Sequence, residues 1–187
     1  CRFYDPKLAS SITRRSHEIM TRSKACIEAE GYPVIYGDTD SLFVAVGQDC
    51  DEPEAAAIGQ ALVKTMNAWW KDTIATEHDI PSSLELEFET CYLKFLMPTI
   101  RGSSKGTKKR YAGLSRASDG SLSVTFKGLE SVRTDWTPLA RQFQRELYRR
   151  IFFGEAYEDF VFQTAADLLA GRLDEQLVYR KRLRKAL

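Results

Sequence analysis

The stretch YPVIYGDTDSLFVAV, residues 32–46, contains two runs rich in β-branched and aromatic residues with a Gly-Asp-Thr-Asp turn between them. Such runs on either side of turn residues predict a β-hairpin. Asp38 and Asp40 lie two residues apart at its tip, so their side chains are expected on the same side. Two crowded carboxylates favour a bound cation. Mg²⁺ is the hard ion that takes one or two carboxylates, keeps waters and shares the remaining positions with substrate phosphates.

The same turn also has a simpler interpretation. Gly37, Thr39 and Ser41 are residue types that hairpin turns prefer, and we expect them to shape the turn rather than to do chemistry. An Asp-x-Asp pair at a turn, taken alone, therefore favours a purely structural role.

Helical patterns flank this hairpin on both sides. Asp5-Pro6 is a typical helix start, and an apolar stripe follows it until Gly31 provides a stop. Glu52-Pro53 starts a second helix, with apolar residues at helical spacing as far as Ile74. We therefore predict a helix–hairpin–helix order for the first part of the chain.

The next segment, Leu84 to Leu96, is predicted to be a strand. Its glutamates alternate with apolar residues, so they share one face, which by default faces solvent; they are Glu85, Glu87 and Glu89. A second hairpin is predicted around Asp119-Gly120, and helices are predicted from Thr137-Pro138 through Ile151 and from about Tyr157 to Ala170. This order predicts an α+β fold with an all-helical tail that begins near Asp135.

Composition excludes several classes of protein. The chain has 187 residues, of which 43% are hydrophobic and 28% charged. These values exclude a disordered tail, a collagen-like repeat and a disulfide miniprotein, and no apolar run approaches the length of a membrane span. Four widely spaced cysteines without a C-x-x-C pair favour reduced thiols, and two histidines make a multi-histidine metal site improbable. Since the chain begins at Cys1 rather than Met, we expect a piece of a longer chain.

The net charge of +1 hides an uneven distribution along the chain. Residues 51–100 have three basic and nine acidic side chains, whereas residues 101–150 have twelve and four. Seven lysines or arginines and no acid lie between Thr90 and Ser118. A dense basic segment in a nearly neutral protein predicts a local anionic partner, and a solvated basic loop is the alternative.

Three ordered motifs carry a resemblance to a known family. Tyr36-Gly37-Asp38-Thr39-Asp40-Ser41, followed by Leu-Phe-Val, resembles the palm motif of family B DNA polymerases. Lys108-Lys109-Arg110-Tyr111 is similar to the K-x-Y motif of that family. Lys127-Gly128-x-Glu130-x-x-Arg133-x-Asp135 is similar to the segment that closes the palm before the thumb.

The resemblance implies a fold, an activity and a cofactor. It implies a palm subdomain of antiparallel strands and packed helices over residues 1–134, followed by a helical thumb segment over residues 135–187. The complete enzyme would be a DNA-directed DNA polymerase that transfers nucleotides from dNTP to a primer 3′-hydroxyl, using two Mg²⁺ ions that Mn²⁺ can replace. Asp40 would bind both ions and Asp38 would bind less directly, with Glu89 near the metals. Because the other metal-binding aspartate of the family precedes Cys1, we expect this piece alone to be inactive.

The resemblance also implies contacts with DNA. Lys109 and Tyr111 would hold the primer end in the minor groove, where base pairs offer similar acceptors. Lys108 and Arg110 would contact phosphates or acidic neighbours, and Lys127 would contact DNA. Arg133 would either pair with Asp135 or Glu130, or touch the template backbone. An arginine stripe on the predicted helix after residue 137 would track phosphates or face solvent; it consists of Arg141, Arg145 and Arg149.

The implied partners are primer–template DNA, dNTP, the rest of the polymerase chain and a sliding clamp, without a membrane. The implied location is the bacterial cytoplasm, at the nucleoid. An exposed sheet edge would also permit a dimer. Two alternatives remain open at this point. One is a non-catalytic duplex-DNA-binding module with a structural aspartate turn. The other is a different metal-dependent phosphoryl-transfer enzyme, such as a cyclase or nuclease. The second and third motifs argue against this alternative.

Overall fold

A computed structural model describes residues 5–47, 49–99, 102, 107 and 109–180. It divides the chain into two compact units, Cys1–Cys91 and Tyr92–Leu187, hereafter the first and the second unit. The described residues form four α-helices and two small antiparallel sheets, so the predicted α+β class is confirmed. No helix in the described part of the chain is long and apolar enough to cross a membrane.

The first unit has the predicted helix–hairpin–helix order. Helix α1 covers Pro6–Ala29, strands β1 and β2 cover Val34–Asp38 and Ser41–Val44, and helix α2 covers Glu52–His78. Both helices begin as the sequence predicts, because an aspartate side chain accepts a backbone N–H hydrogen bond at each N-terminus and proline occupies the first turn.

The core of the first unit lies where α1, α2 and the hairpin pack together. Ile27, Met66 and Trp70 are buried at its centre. The Trp70 indole Nε1 donates to the Ser23 hydroxyl at 2.9 Å, which satisfies both buried polar groups and joins the two helices. Apolar residues of the hairpin pack against this centre, and they are Val34, Leu42 and Val44.

The second unit consists of a three-stranded sheet and two helices. Strands β3 (Tyr92–Leu96), β4 (Tyr111–Arg116) and β5 (Leu122–Lys127) form an antiparallel sheet in the order β3-β4-β5. Helix α3 covers Pro138–Phe153 and helix α4 covers Glu158–Leu169. The hairpin and both helices agree with the sequence predictions. The predicted palm–thumb boundary after residue 134 falls inside this unit and stays a prediction.

The core of the second unit lies between the sheet and α3. Central strand β4 contributes Ala112 and Leu114, which are buried against Leu129 and Phe152. A 3₁₀ turn, Glu130–Val132, connects β5 to the segment before α3. This turn lies beside α3 and beside β5. Ala112, at the start of β4, packs in the same core as Phe152 of α3.

The predicted strand from Leu84 to Leu96 is wrong in its first part. The strand begins at Tyr92, and residues 81–91 belong to neither a helix nor a strand. The physical reason is that Leu86 hydrogen-bonds to a side chain instead of a neighbouring strand. The Leu86 backbone N–H donates to Asn67 Oδ1 at 2.8 Å, and Asn67 Nδ2 donates to the Leu86 carbonyl at 2.9 Å.

Candidate active site and DNA contacts

The two aspartates lie at the tip of the β1–β2 hairpin. Asp38 pairs with Ser41 at the end of the ladder, and the Asp40 N–H donates to the Asp38 carbonyl at 2.6 Å. This hydrogen bond closes a turn of three residues, and Thr39 at its centre has a φ of +55°. The turn therefore places one carboxylate on each side of Thr39.

Neighbouring hydroxyls orient the two carboxylates. Thr39 Oγ1 donates to Asp38 Oδ1 at 3.1 Å, and Ser41 Oγ donates to Asp40 Oδ1 at 3.4 Å. Asp38 is half-buried and Asp40 is exposed. Because Leu42 packs into the core of the first unit, the base of the turn is fixed while its tip meets solvent. The turn-shaping roles of Gly37, Thr39 and Ser41 stay predictions.

The donor set of the turn suits a hard divalent cation. Two carboxylates from one short turn are the number that Mg²⁺ takes from a protein while it keeps waters and phosphate oxygens. Within the described ranges no three His, Cys, Asp or Glu side chains form a group that could hold a metal. Glu89 is exposed on the extended segment and does not complete such a group with the aspartates, so its proximity to a metal stays a prediction.

Asn67 is a residue that the sequence analysis did not single out. Its side-chain amide makes two hydrogen bonds to the backbone of Leu86, as a neighbouring strand would. It thereby fastens the segment that bears Glu85, Glu87 and Glu89 to α2. The available signal was an asparagine in the middle of a helix, where its intrinsic propensity is poor.

The K-x-Y motif lies in the second unit, and Lys108 lies outside the described residues. Lys109 is exposed and has a φ of +61°, immediately before β4. Its carbonyl oxygen would lie 1.9 Å from a Cβ atom added at Gly128, so only glycine fits opposite it. Tyr111 is buried, with its ring 5.2 Å from that of Phe95. It pairs with the exposed Lys127 across β4 and β5.

The structure thus brings the second and third motifs together. Arg110 forms an ion pair with Glu130, and Gln144 Nε2 donates to the other Glu130 oxygen at 2.6 Å. Burial works against ionisation of this carboxyl, but the hydrogen bonds from Gln144, the backbone and Arg110 lower the pKa of Glu130 below its usual value. Of the two contacts expected for Arg110, the acidic neighbour is the one observed.

Other basic side chains of the second unit are paired within the chain. Arg133 pairs with Asp135 through two hydrogen bonds of 2.9 and 2.6 Å, which is one of the two structural partners expected. In the arginine stripe of α3, Arg145 donates to the Ser131 carbonyl and Arg149 binds Glu146 and Glu155. These pairings favour structural roles for the paired arginines. A role of Arg133 in DNA binding stays a prediction.

The comparison with protein-family models matches residues 1–185 to DNA polymerase family B. The chain belongs to this family. It is 60% identical over 187 residues to DNA polymerase II of Escherichia coli (strain K12), all of the chain aligning with 24% of that protein. It is 30% identical over 195 residues to the DNA polymerase delta catalytic subunit of Mesocricetus auratus, covering 96% of the chain and 16% of that subunit.

A further family member, the DNA polymerase alpha catalytic subunit of Sterkiella nova, is 30% identical over 166 residues, or 86% of the chain and 10% of that subunit. The chain therefore spans at most about a quarter of the length of these relatives. Runs between the motifs also predict a specific similarity to the bacterial polymerase II type, and this similarity is confirmed. They include Asn67-Ala68-Trp69-Trp70 and Val132-Arg133-Thr134-Asp135-Trp136.

Proposed function

We propose that this chain provides metal-binding aspartates and part of the primer-binding surface of a DNA-directed DNA polymerase. The observation that carries the proposal is the hairpin tip, where Asp38 and Asp40 flank Thr39 in a closed turn. Family membership supports the assignment of this turn to nucleotidyl transfer. In this proposal residues 1–134 belong to the palm and residues 135–187 to the thumb.

Asp38 and Asp40 would hold the divalent metal, Mg²⁺ or its substitute Mn²⁺. When bound, a metal pair in such a site stabilises the attacking and leaving oxygens of an in-line displacement. The chain itself contributes orientation: the hydroxyls of Thr39 and Ser41 bind one oxygen of each carboxylate. Glu89 is a further candidate in the same unit.

The second unit would hold the primer–template duplex. Lys109 and Lys127 are exposed at one end of the β4–β5 pair, and Tyr111 lies between them in the sheet. Two exposed ammonium groups at one sheet end suit sequence-independent contacts with a primer, and such binding weakens steeply with salt. The second substrate would be dNTP, and the rest of the polymerase chain would be a further partner. The sliding clamp, the nucleoid location and an edge-mediated dimer stay predictions.

The proposal is tested by replacing the exposed aspartate in the complete polymerase. Asp40→Asn keeps the shape of the side chain but removes the negative charge that a cation needs. We expect synthesis to fall by at least about 10³-fold, while binding of primer–template DNA stays within about twofold, because the contacts with DNA lie elsewhere. The measurements are primer extension with Mg²⁺ and with Mn²⁺, and duplex binding by fluorescence anisotropy.

The matched control is Asp119→Asn, in the turn of the β4–β5 hairpin. Asp119 is also an exposed turn aspartate whose carboxylate accepts hydrogen bonds from a neighbouring serine. Synthesis by this variant should equal that of the unchanged enzyme. Substantial synthesis by Asp40→Asn would contradict the proposal and favour the non-catalytic DNA-binding module. Equal loss of synthesis and of DNA binding would show that Asp40 is structural.

A further inference from the structure

A hydrogen-bonded network surrounds the residue that follows Lys109. Arg110 Nη2 donates to Glu130 Oε1, and the Glu130 Oε2 atom accepts from Gln144 Nε2 at 2.6 Å. Gln144 Oε1 in turn accepts from the Ser131 backbone N–H at 2.7 Å. The network therefore connects the start of β4, the 3₁₀ turn and helix α3 inside the second unit. We call this set of three residues the bracket; it consists of Arg110, Glu130 and Gln144.

The ion pair of the bracket is shielded from solvent. The Glu130 side chain is 16% exposed and that of Arg110 is 38% exposed, whereas the Arg133–Asp135 pair nearby is 51% and 43% exposed. The Arg110 guanidinium donates to Glu130 through its terminal Nη2 atom. Its Nε atom is buried without a hydrogen-bond partner. Loss of either partner leaves a partly buried charge unpaired, which is costly. The pair thus differs from an ordinary surface pair.

The bracket begins beside a strained backbone residue. Lys109 is in the left-handed region, which is unfavourable for a residue with a side chain. Its carbonyl oxygen packs directly on Gly128, and Glu130 is two residues further along the chain. The same two segments are therefore joined twice, once by backbone packing at Lys109 and once by the ion pair at Arg110. Both junctions involve Lys109 itself or the residue that follows it.

We propose that the bracket is a positioning device that holds Lys109 in the orientation in which it contacts the primer–template duplex. In this role Arg110 acts through Lys109 and makes no contact with a phosphate itself. The inference rests on the proposed function, since it requires that Lys109 binds DNA. It assigns positioning roles to Glu130 and Gln144, which no motif-based reasoning connects to DNA.

The sign of the charge change separates positioning from simple electrostatics. Glu130→Gln makes the second unit more positive, so electrostatic attraction alone predicts tighter binding of DNA. Positioning predicts weaker binding, because the Arg110 guanidinium loses its partner and Lys109 loses its support. Arg110→Gln changes the charge in the opposite direction, and positioning again predicts weaker binding. Only a positioning role makes both variants weaker.

The experiment measures binding of the complete polymerase to a primer–template duplex by fluorescence anisotropy at several salt concentrations. We expect the Kd to rise about tenfold for Lys109→Gln, Glu130→Gln and Arg110→Gln, the size of one lost charge-assisted contact. The slope of log K against log salt should change by the same amount in all three variants, because each of them loses the contact that Lys109 makes. In the Lys109→Gln background, Glu130→Gln should cause no further loss, because its effect passes through Lys109.

The matched control is Asp167→Asn, which also removes one negative charge from an ion pair of the second unit, that with Arg172. It should bind DNA as the unchanged enzyme does. Binding by Glu130→Gln that equals or exceeds that of this control would overturn the inference. A salt slope that falls in Arg110→Gln but not in Glu130→Gln would also overturn it, because a direct phosphate contact of Arg110 would lower the slope by about 0.9 in that variant alone.

Two further measurements keep the outcomes distinct. If thermal unfolding shows that Glu130→Gln does not fold, the variant Gln144→Ala tests the inference instead. It keeps both charges of the ion pair and removes only the hydrogen bonds that connect α3 to the 3₁₀ turn. We expect it to raise the Kd about threefold, less than the other bracket variants do, because Arg110 keeps its ion pair with Glu130. Unchanged binding by folded Gln144→Ala would overturn the inference. If Lys109→Gln itself binds normally, the proposed DNA contact fails; if only the bracket variants bind normally, the inference alone fails.

Discussion

At the scale of single residues, backbone strain coincides with the motifs. In the described part of the chain, the non-glycine residues with positive φ are Thr39, Asp79 and Lys109. Asp79 ends helix α2, a position where left-handed conformations are common. Thr39 lies between the two aspartates, and a β-branched residue is costly there. Lys109 begins the proposed DNA contact. Strain of this kind persists where surrounding structure enforces it, which is typical of functional sites.

Gly128 gives a prediction at this scale. Alanine at this position would have a φ of +59° and would place its Cβ 1.9 Å from the Lys109 carbonyl oxygen, so the backbone must move. We expect Gly128→Ala to lower the free energy of unfolding by more than about 2 kcal/mol. The measurement is chemical denaturation of the chain, followed by circular dichroism.

The control for this prediction is Gly120→Ala in the β4–β5 turn. Gly120 has a φ of +84° but nothing lies within 4 Å of the added Cβ, so only the conformational cost remains. That cost is about 1 kcal/mol. Equal destabilisation by the two substitutions would show that the contact with Lys109 is unimportant.

At the scale of elements, helix α2 packs in the core of the first unit and also binds the backbone of a neighbouring segment, as a strand would. One of its faces buries Met66 and Trp70 in the first unit. The adjacent Asn67 binds the backbone of Leu86, and Leu84 and Leu86 pack on the same core. The side chains at 85, 87 and 89 consequently face solvent. Side-chain hydrogen bonds can therefore hold a segment of the chain in place without its belonging to a sheet.

Removal of the Asn67 amide should release this segment. Asn67→Ala leaves the half-buried N–H and carbonyl of Leu86 without their partners, so we expect a loss of about 1–3 kcal/mol of unfolding free energy. The exchange of the Leu86 amide proton should become faster by a corresponding factor. Gln60→Ala, at an exposed position of the same helix, is the control and should change stability by less than about 0.5 kcal/mol. Unchanged exchange at Leu86 in Asn67→Ala would contradict this account.

At the scale of the whole molecule, charge is separated along the chain. The first unit contains the aspartate turn, and the second contains the basic motifs, so a net charge of +1 conceals an acidic first unit and a basic second unit. The second unit also contains the acidic groups most affected by ion pairing. Hydrogen bonds from Arg149, opposed by burial and reinforced by Arg150, lower the pKa of Glu146 to about 2.

This shift predicts how stability depends on pH. The folded-state pKa of Glu146 is below its unfolded value of 4.5, so the folded state binds fewer protons and the stabilisation is present above that pH. It is lost as the pH falls from about 5 towards about 2. The difference in unfolding free energy between the unchanged chain and Glu146→Gln should shrink over this range, as measured by urea denaturation at successive pH values. Glu175→Gln is the control for a change of charge alone. A difference that is constant with pH would contradict the role of the ion pairs.

The size of the chain predicts its behaviour in isolation. It spans 24% of DNA polymerase II of Escherichia coli, and its described residues hold two turn aspartates without a third metal ligand beside them. We expect no templated incorporation by the purified 187-residue chain in a primer-extension assay that detects the complete polymerase. Templated synthesis by the chain alone would show that these residues suffice.

The sequence by itself determined the helices, both hairpins and the aspartate turn. Their signals are local: the aspartate and threonine caps of α1, α2 and α3, the glycine stops, and the turn residues between β-rich runs all lie within a few residues of the structure they cause. The three motifs likewise identified the family, because each is a short contiguous run.

Only the tertiary structure decided how distant residues are paired. The amide of Asn67 meets Leu86 nineteen residues away, and Arg110 meets Glu130 twenty residues away. Neither partner has a local pattern that distinguishes it from an exposed polar residue. The predicted start of the strand at Leu84 was wrong for the same reason. Alternation of apolar residues predicts an extended backbone, but it does not predict which groups form hydrogen bonds with that backbone. Pairing depends on which surfaces the cores bring together, and that is a property of the folded chain.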